Sequence, residues 1–174
     1  MKIILLYCSL IIGGLAQSIT LPEHFSATFA QTITSPAKKV IAYEGKVYFS
    51  HKEWLKWEYL TPTKKEVCSH AQTLTIVDHD LEQVSKYYID KGIDLQAILS
   101  TAKPHHDNVY VAQYKEKQYT LALDKEGALQ SIAYFDDLEN KVQILFKKMV
   151  YGKGNLPSSV MQCHYPKYYD KIEG

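Results

Sequence analysis

The sequence predicts a mainly β protein: a curved antiparallel sheet of about eleven strands that forms an incompletely closed barrel. Two observations carry this prediction. Apolar and aromatic residues recur at every second position through three successive runs between Phe25 and Pro62, which gives the sheet one greasy face and one wet face. A single helical pattern interrupts the strands, too little to cover an apolar face of that extent, so the sheet itself must curl around it.

Ahead of the strands, Lys2, an apolar run over residues 3–13 and small residues at Gly14, Ala16 and Ser18 have the layout of a cleavable secretory signal. Cleavage is expected after Ala16, giving a signal at 1–16. The apolar run is shorter than the ~20 residues that span a bilayer. Cys8 follows Tyr7 rather than a small residue and lies too early to be a lipid-attachment cysteine. Residues 17–174 are expected to form one exported domain, long enough for a substantial core and too short for two.

The first three strand-like runs span 25–34, 39–50 and 54–61. Their alternation places Phe25, Ala27, Phe29 and Ile33 on the apolar face, then Ile41, Tyr43, Val47 and Phe49, then Leu55, Trp57 and Tyr59. Lys46, Lys56 and Glu58 point the other way, to water. Further runs at 64–70, 73–78 and 81–88 extend the sheet. The stretch KGIDLQAILSTAKPHHD breaks the pattern. Ile93, Ala97 and Leu99, or Leu95, Ile98 and Leu99, fall at helical spacing, with Asp94 near the start and Pro104 beyond the end, so a helix is expected near 93–103. Strands resume at 108–115, 118–124, 128–135, 140–149 and 159–165. Short links at Lys115-Glu116-Lys117, Lys125-Glu126-Gly127 and Asp136-Asp137-Leu138-Glu139 read as hairpin turns, so the topology is mostly an antiparallel meander.

Composition narrows the function classes. Past Lys2, 19 basic residues face 19 acidic ones without a strong basic run, which disfavours nucleic acid and anionic membrane surfaces as partners. Every basic residue is Lys and none is Arg, which removes the side chain best suited to bidentate phosphate clamping. In an oxidising compartment Cys68 and Cys163 are free to pair, which would tie the last strand to the first half of the sheet; the alternative is two small buried thiols. His70, His79, His105 and His106 stand near Asp78, Asp80 and Asp107 without a recognisable ligand spacing, so no metal site is expected. Neither a nucleophile elbow nor a phosphate-cradling glycine loop occurs, and no catalytic residue or cofactor is assigned.

The ordered set Phe-x-Ala-x-Phe-x-Gln at 25–31, Gly45 inside a strand, Trp57-Glu58-Tyr59 with Pro62 beyond, Asp78-x-Asp80-Leu81-x-Gln83-Val84, and Cys163-His164-Tyr165-Pro166 followed by Asp170 resembles the LolA family of periplasmic carriers of outer-membrane lipoproteins. The resemblance spans nearly the whole chain after the signal. It implies a LolA-like half-barrel with a helical lid, a chaperone without enzymatic activity, and a periplasmic location. Its cargo would be the acyl chains of outer-membrane lipoproteins, received from a LolCDE-type ABC transporter in the inner membrane and passed to an outer-membrane acceptor, LolB-like or otherwise; the carrier would act as a monomer.

On their own Leu55 and Trp57 read as ordinary sheet core. The resemblance instead makes Phe29, Tyr43, Val47, Phe49, Leu55, Trp57 and Tyr59 the lining of a lipid cavity, and Ile93, Leu95, Ile98 and Leu99 the lid. Relatives carry an Arg-Pro pair after the second strand whose Arg latches the lid. His51 and Lys52 stand there in this chain, so a latch made by His51 would be weaker and sensitive to pH; His51 reads equally as a solvated turn residue. Relatives also have an amphipathic helix before the first strand, whereas residues 17–24 are short and broken by Pro22, so that lid element is expected to be truncated or missing. The rival readings on the same fold are a periplasmic lipid- or glycolipid-binding or sensing domain and a LolB-like acceptor. The latter would need a lipidated cysteine after the signal, and residues 17–24 contain none.

Overall fold

The structure, a computed structural model, describes residues 19, 21–51, 54–89 and 95–173. The secretory signal expected at 1–16, Lys52 and Ile93 lie outside the described residues. The elements are β1 His24–Thr34, β2 Val40–Ser50, β3 Trp54–Thr61, β4 Lys65–His70, β5 Thr73–Asp78, β6 Gln83–Tyr88, α1 Leu95–Ser100, β7 Lys103–His106, β8 Val109–Tyr114, β9 Lys117–Leu123, β10 Leu129–Phe135, β11 Lys141–Gly152, α2 Ser158–Met161 and β12 Asp170–Glu173.

All twelve strands belong to one open sheet in the order β12-β6-β5-β4-β3-β2-β1-β11-β10-β9-β8-β7. Two antiparallel meanders, β1 to β6 and β7 to β11, meet where β1 pairs with β11. The strands β6 and β7 therefore lie near opposite edges. Between them in the chain, α1 packs on the apolar side, because its Leu95, Ile98 and Leu99 are buried in the same cluster as Phe25, Val47 and Phe146.

The sheet is rolled. Val67 on β4 and Tyr119 on β9 line one hollow, although they are six strands apart, about 29 Å on a flat sheet at ~4.8 Å per strand. Irregular register between Ser26 and Thr28 opposite β11, and between Glu44 and Gly45 opposite β3, supplies local bends. Gly45 is needed at the second bend: a Cβ there would collide with the Glu58 carbonyl and lie 2.8 Å from Phe29 Cε1. At the β8–β9 hairpin both Lys115 (φ 46°) and Glu116 (φ 61°) are left-handed, the pair of conformations that a tight two-residue connection demands.

Three sequence expectations need correction. Residues 159–165 do not form a strand: α2 occupies Ser158–Met161, and the last strand is Asp170–Glu173, running parallel to β6. Pro157 and Pro166 bracket the segment, and proline cannot donate to a ladder. The helix expected to reach residue 103 ends at Ser100; Lys103–His106 is instead an exposed edge strand, where Pro104 is tolerated.

The third correction concerns the wet face. Over β3 to β6 it is not wet, because the C-terminal segment lies across it. Cys163 is bonded to Cys68 of β4 with Cα atoms 5.8 Å apart. Tyr169, Val77 and Val84 form a second small core there, with Cys163 and Tyr165 packed against it. Lys56, expected in water, is only 2% exposed beneath that segment and donates to the Gln162 carbonyl at 2.9 Å.

Candidate functional site

The hollow on the apolar face has a volume of about 330 Å³. Alternation builds its lining. On β1 the inward residues are Phe25, Ala27, Phe29 and Gln31, on β3 Leu55, Trp57 and Tyr59, and on β11 Val142, Ile144 and Phe146. Toward the Phe25 end of β1 the lining is hydrocarbon, with Phe25, Val47, Leu55 and Val67, and Leu95 and Ile98 of α1 line the same hollow. The other end carries Gln31, Tyr59, Tyr119 and Tyr134, with Lys117 and Asp136 at its margin.

Of the seven residues assigned to a lipid cavity, Val47, Leu55, Trp57 and Tyr59 line the hollow. The other three project from the same inner face and pack against lining residues without lining the hollow themselves. Phe29 packs edge-on against Trp57 and Tyr59, with ring centroids 4.9 and 5.2 Å apart, Phe49 stacks on Phe25 at 5.1 Å, and Tyr43 meets Tyr59 at 5.4 Å. Leu95, Ile98 and Leu99 are buried, and the first two face the hollow while Leu99 packs in the core. Ile19 and Leu21 also pack on this core. His51 is an exposed turn residue whose backbone N–H donates to the Glu23 carbonyl at 2.9 Å. It lies beside Asn155, Leu156 and Ser158 rather than α1, and no hydrogen bond joins the two among the described residues.

Sequence reasoning missed the wall supplied by the second meander, namely Tyr119, Ile132, Tyr134, Ile144 and Phe146. The signal was present, since Val142, Ile144 and Phe146 alternate as cleanly as residues 25–31. What alternation does not reveal is that β11 pairs with β1 and so shares its inner face.

The phenols sit in a dry environment. Burial pushes the Tyr59 hydroxyl up to about 12, with the neighbouring Tyr134 and Tyr43 adding to it. Tyr134 is raised by burial and then by Tyr119 and Asp136. Both remain neutral hydrogen-bonding groups at physiological pH. Two of the histidines are engaged by neighbouring side chains: His79 contacts the Tyr169 hydroxyl at 3.2 Å and Glu66 at 3.4 Å, and His70 stacks on Trp54. Glu66, Cys68 and Cys163 form a metal-compatible cluster by position, but both sulfurs are spent in the disulfide and offer no thiolate.

Comparison with known proteins bears on this geometry. The family model described as outer membrane lipoprotein carrier protein LolA matches residues 22–120. An outer-membrane lipoprotein carrier protein of Wolinella succinogenes is 33% identical over 123 residues, covering 71% of this chain and 72% of the relative. Another, from Campylobacter jejuni, is 34% identical over 148 residues and covers 85% of each chain. Among solved structures, an uncharacterised conserved protein from Thermus thermophilus shares the fold at a TM-score of 0.56 and 12% identity, covering 88% of this chain and 92% of that one.

Proposed function

The chain belongs to the LolA family of outer-membrane lipoprotein carrier proteins, non-enzymatic and periplasmic, and on that premise we propose that its rolled sheet shields the acyl chains of lipoproteins in the hollow beneath α1. The observation that carries this reading is the hydrocarbon lining of the hollow, to which Phe25, Val47, Leu55 and Val67 of the sheet and Leu95 and Ile98 of α1 contribute. Each methylene taken out of water is worth about 0.8 kcal/mol, and such burial is non-directional, so cargo of many sequences can share one site.

The volume argues for a moving lid. About 330 Å³ is at the low end of the ~300–1,000 Å³ range of ligand sites, small for a terminus bearing more than one chain. Six-residue α1, anchored chiefly by Leu95, Ile98 and Leu99, is the element whose displacement would enlarge the hollow. Displacing it exposes apolar side chains, so empty protein closes and cargo-laden protein opens. Handover then exchanges lid for lipid at little net cost, as a carrier between two membranes requires. Cargo would come from a LolCDE-type transporter and pass to an outer-membrane acceptor after removal of residues 1–16 as a signal, leaving a single carrier domain at 17–174.

Mass spectrometry of protein purified from its own periplasm tests the proposal. Co-purifying lipoprotein is the expected result. Recovery of only free lipid or glycolipid would replace the carrier reading by that of a lipid-sensing domain.

A further inference from the structure

Gln31 interrupts an otherwise apolar row. The inward positions of β1 read Phe25, Ala27, Phe29, Gln31 and Ile33, and Gln31 is paired laterally with Tyr43 on β2 and Ile144 on β11. Its side chain is only 8% exposed and lines the hollow. Its Oε1 is the one buried side-chain polar atom among the described residues with no hydrogen-bond partner. An acceptor held dry and unsatisfied costs free energy of the order of 1–3 kcal/mol, and an apolar residue of similar size would fill the position without that cost.

The surroundings show what would satisfy it. Tyr59 and Tyr134 approach each other from β3 and β10, with Tyr43 against Tyr59 and Tyr119 against Tyr134 at 5.4 and 5.3 Å between centroids, while Phe25 and Leu55 line the hollow toward the opposite end of β1. The hollow is thus amphipathic along its length. A tail packed on the hydrocarbon lining leaves the polar junction of the lipid among the phenols and Gln31. Ester linkages bring acceptors alone, which the tyrosine hydroxyls can serve. An amide linkage brings an N–H, and the Gln31 side-chain carbonyl, without a partner among the described residues, is an acceptor for it.

We propose that Gln31 is a specificity-determining residue that accepts a hydrogen bond from an amide N–H at the junction between acyl chain and peptide, so that the hollow selects lipidated peptide over lipid joined only by esters. The inference rests on the carrier reading and deepens it.

The test uses two ligands of one shape, N-methylpalmitamide and methyl palmitate, which differ at the junction by the N–H. Binding of both is measured to the mature protein and to Gln31→Met, which keeps the length and removes the acceptor. The ratio of amide to ester affinity is expected to fall about tenfold in Gln31→Met, the loss of one hydrogen bond in a dry site. An unchanged ratio overturns the proposal while leaving the carrier reading intact, and wild-type protein that binds neither ligand removes both. A measurement without substitution decides the matter if Gln31→Met does not fold. In wild-type protein the Gln31 side-chain carbonyl carbon resonance should move with the amide and not with the ester, and equal movement overturns the assignment.

Discussion

Lys56 Nζ lies 2.9 Å from a Glu66 carboxylate oxygen and 3.2 Å from one of Glu58, on the face of β3 opposite Trp57. The three groups lie under the C-terminal segment with the Gln162 carbonyl as a further acceptor. A buried cation shared by two partly exposed carboxylates holds that segment in place, and removing the cation leaves two like charges side by side. Lys56→Met is expected to cost about 3–5 kcal/mol, read as a lowered midpoint in urea. Adding Glu66→Gln should recover part of the loss, and a double variant no better than the single one would show that the pairing is not the cause.

The Cys68–Cys163 bond closes a loop of sequence separation 95 across the outer face. Replacing both cysteines by Ala should lower stability by about 2–4 kcal/mol, and reductant should do the same to the wild type. Because the hollow is on the opposite face, affinity for palmitate should change less than twofold. Lost binding would mean that the C-terminal segment supports the inner wall.

Trp54 and Trp57 report on opposite faces. Trp57 lines the hollow, while Trp54 stacks on His70 at 3.6 Å between centroids on the outer side. A brominated palmitate should quench Trp57 fluorescence and spare Trp54. Trp57→Phe should therefore abolish quenching and Trp54→Phe retain it; the reverse pattern would place the acyl chain outside the hollow.

Tyr59 sets an alkaline limit. Its hydroxyl is raised from 10.0 to about 12 in the folded protein, so the folded state holds this proton more tightly than the unfolded chain. The linked stability is complete below about pH 10 and is lost as pH rises toward about 12. Tyr59→Phe should flatten that decline in urea midpoints measured between pH 9 and 12, and it should delete the latest phase of the ultraviolet titration of the tyrosines.

Much of this protein is written in local pattern. Alternation in residues 25–59 fixes which side chains face inward, because a strand has a side-chain period of two and register slips would expose every aromatic at once. Likewise the ordered motifs from Phe25 to Gln83 carry the family, and Leu95, Ile98 and Leu99 mark α1. Other features depend on partners far away in the chain. Lys56 reads as a water-facing residue until the segment around Gln162 covers it, and Gln31 reads as one more position in a row until the walls from β3, β10 and β11 leave its carbonyl dry. Periodicity reports the direction in which a side chain leaves its own strand. Whether water, a second core or an empty hollow waits there is decided by strands and segments brought together only when the sheet rolls and the C-terminus folds back over it.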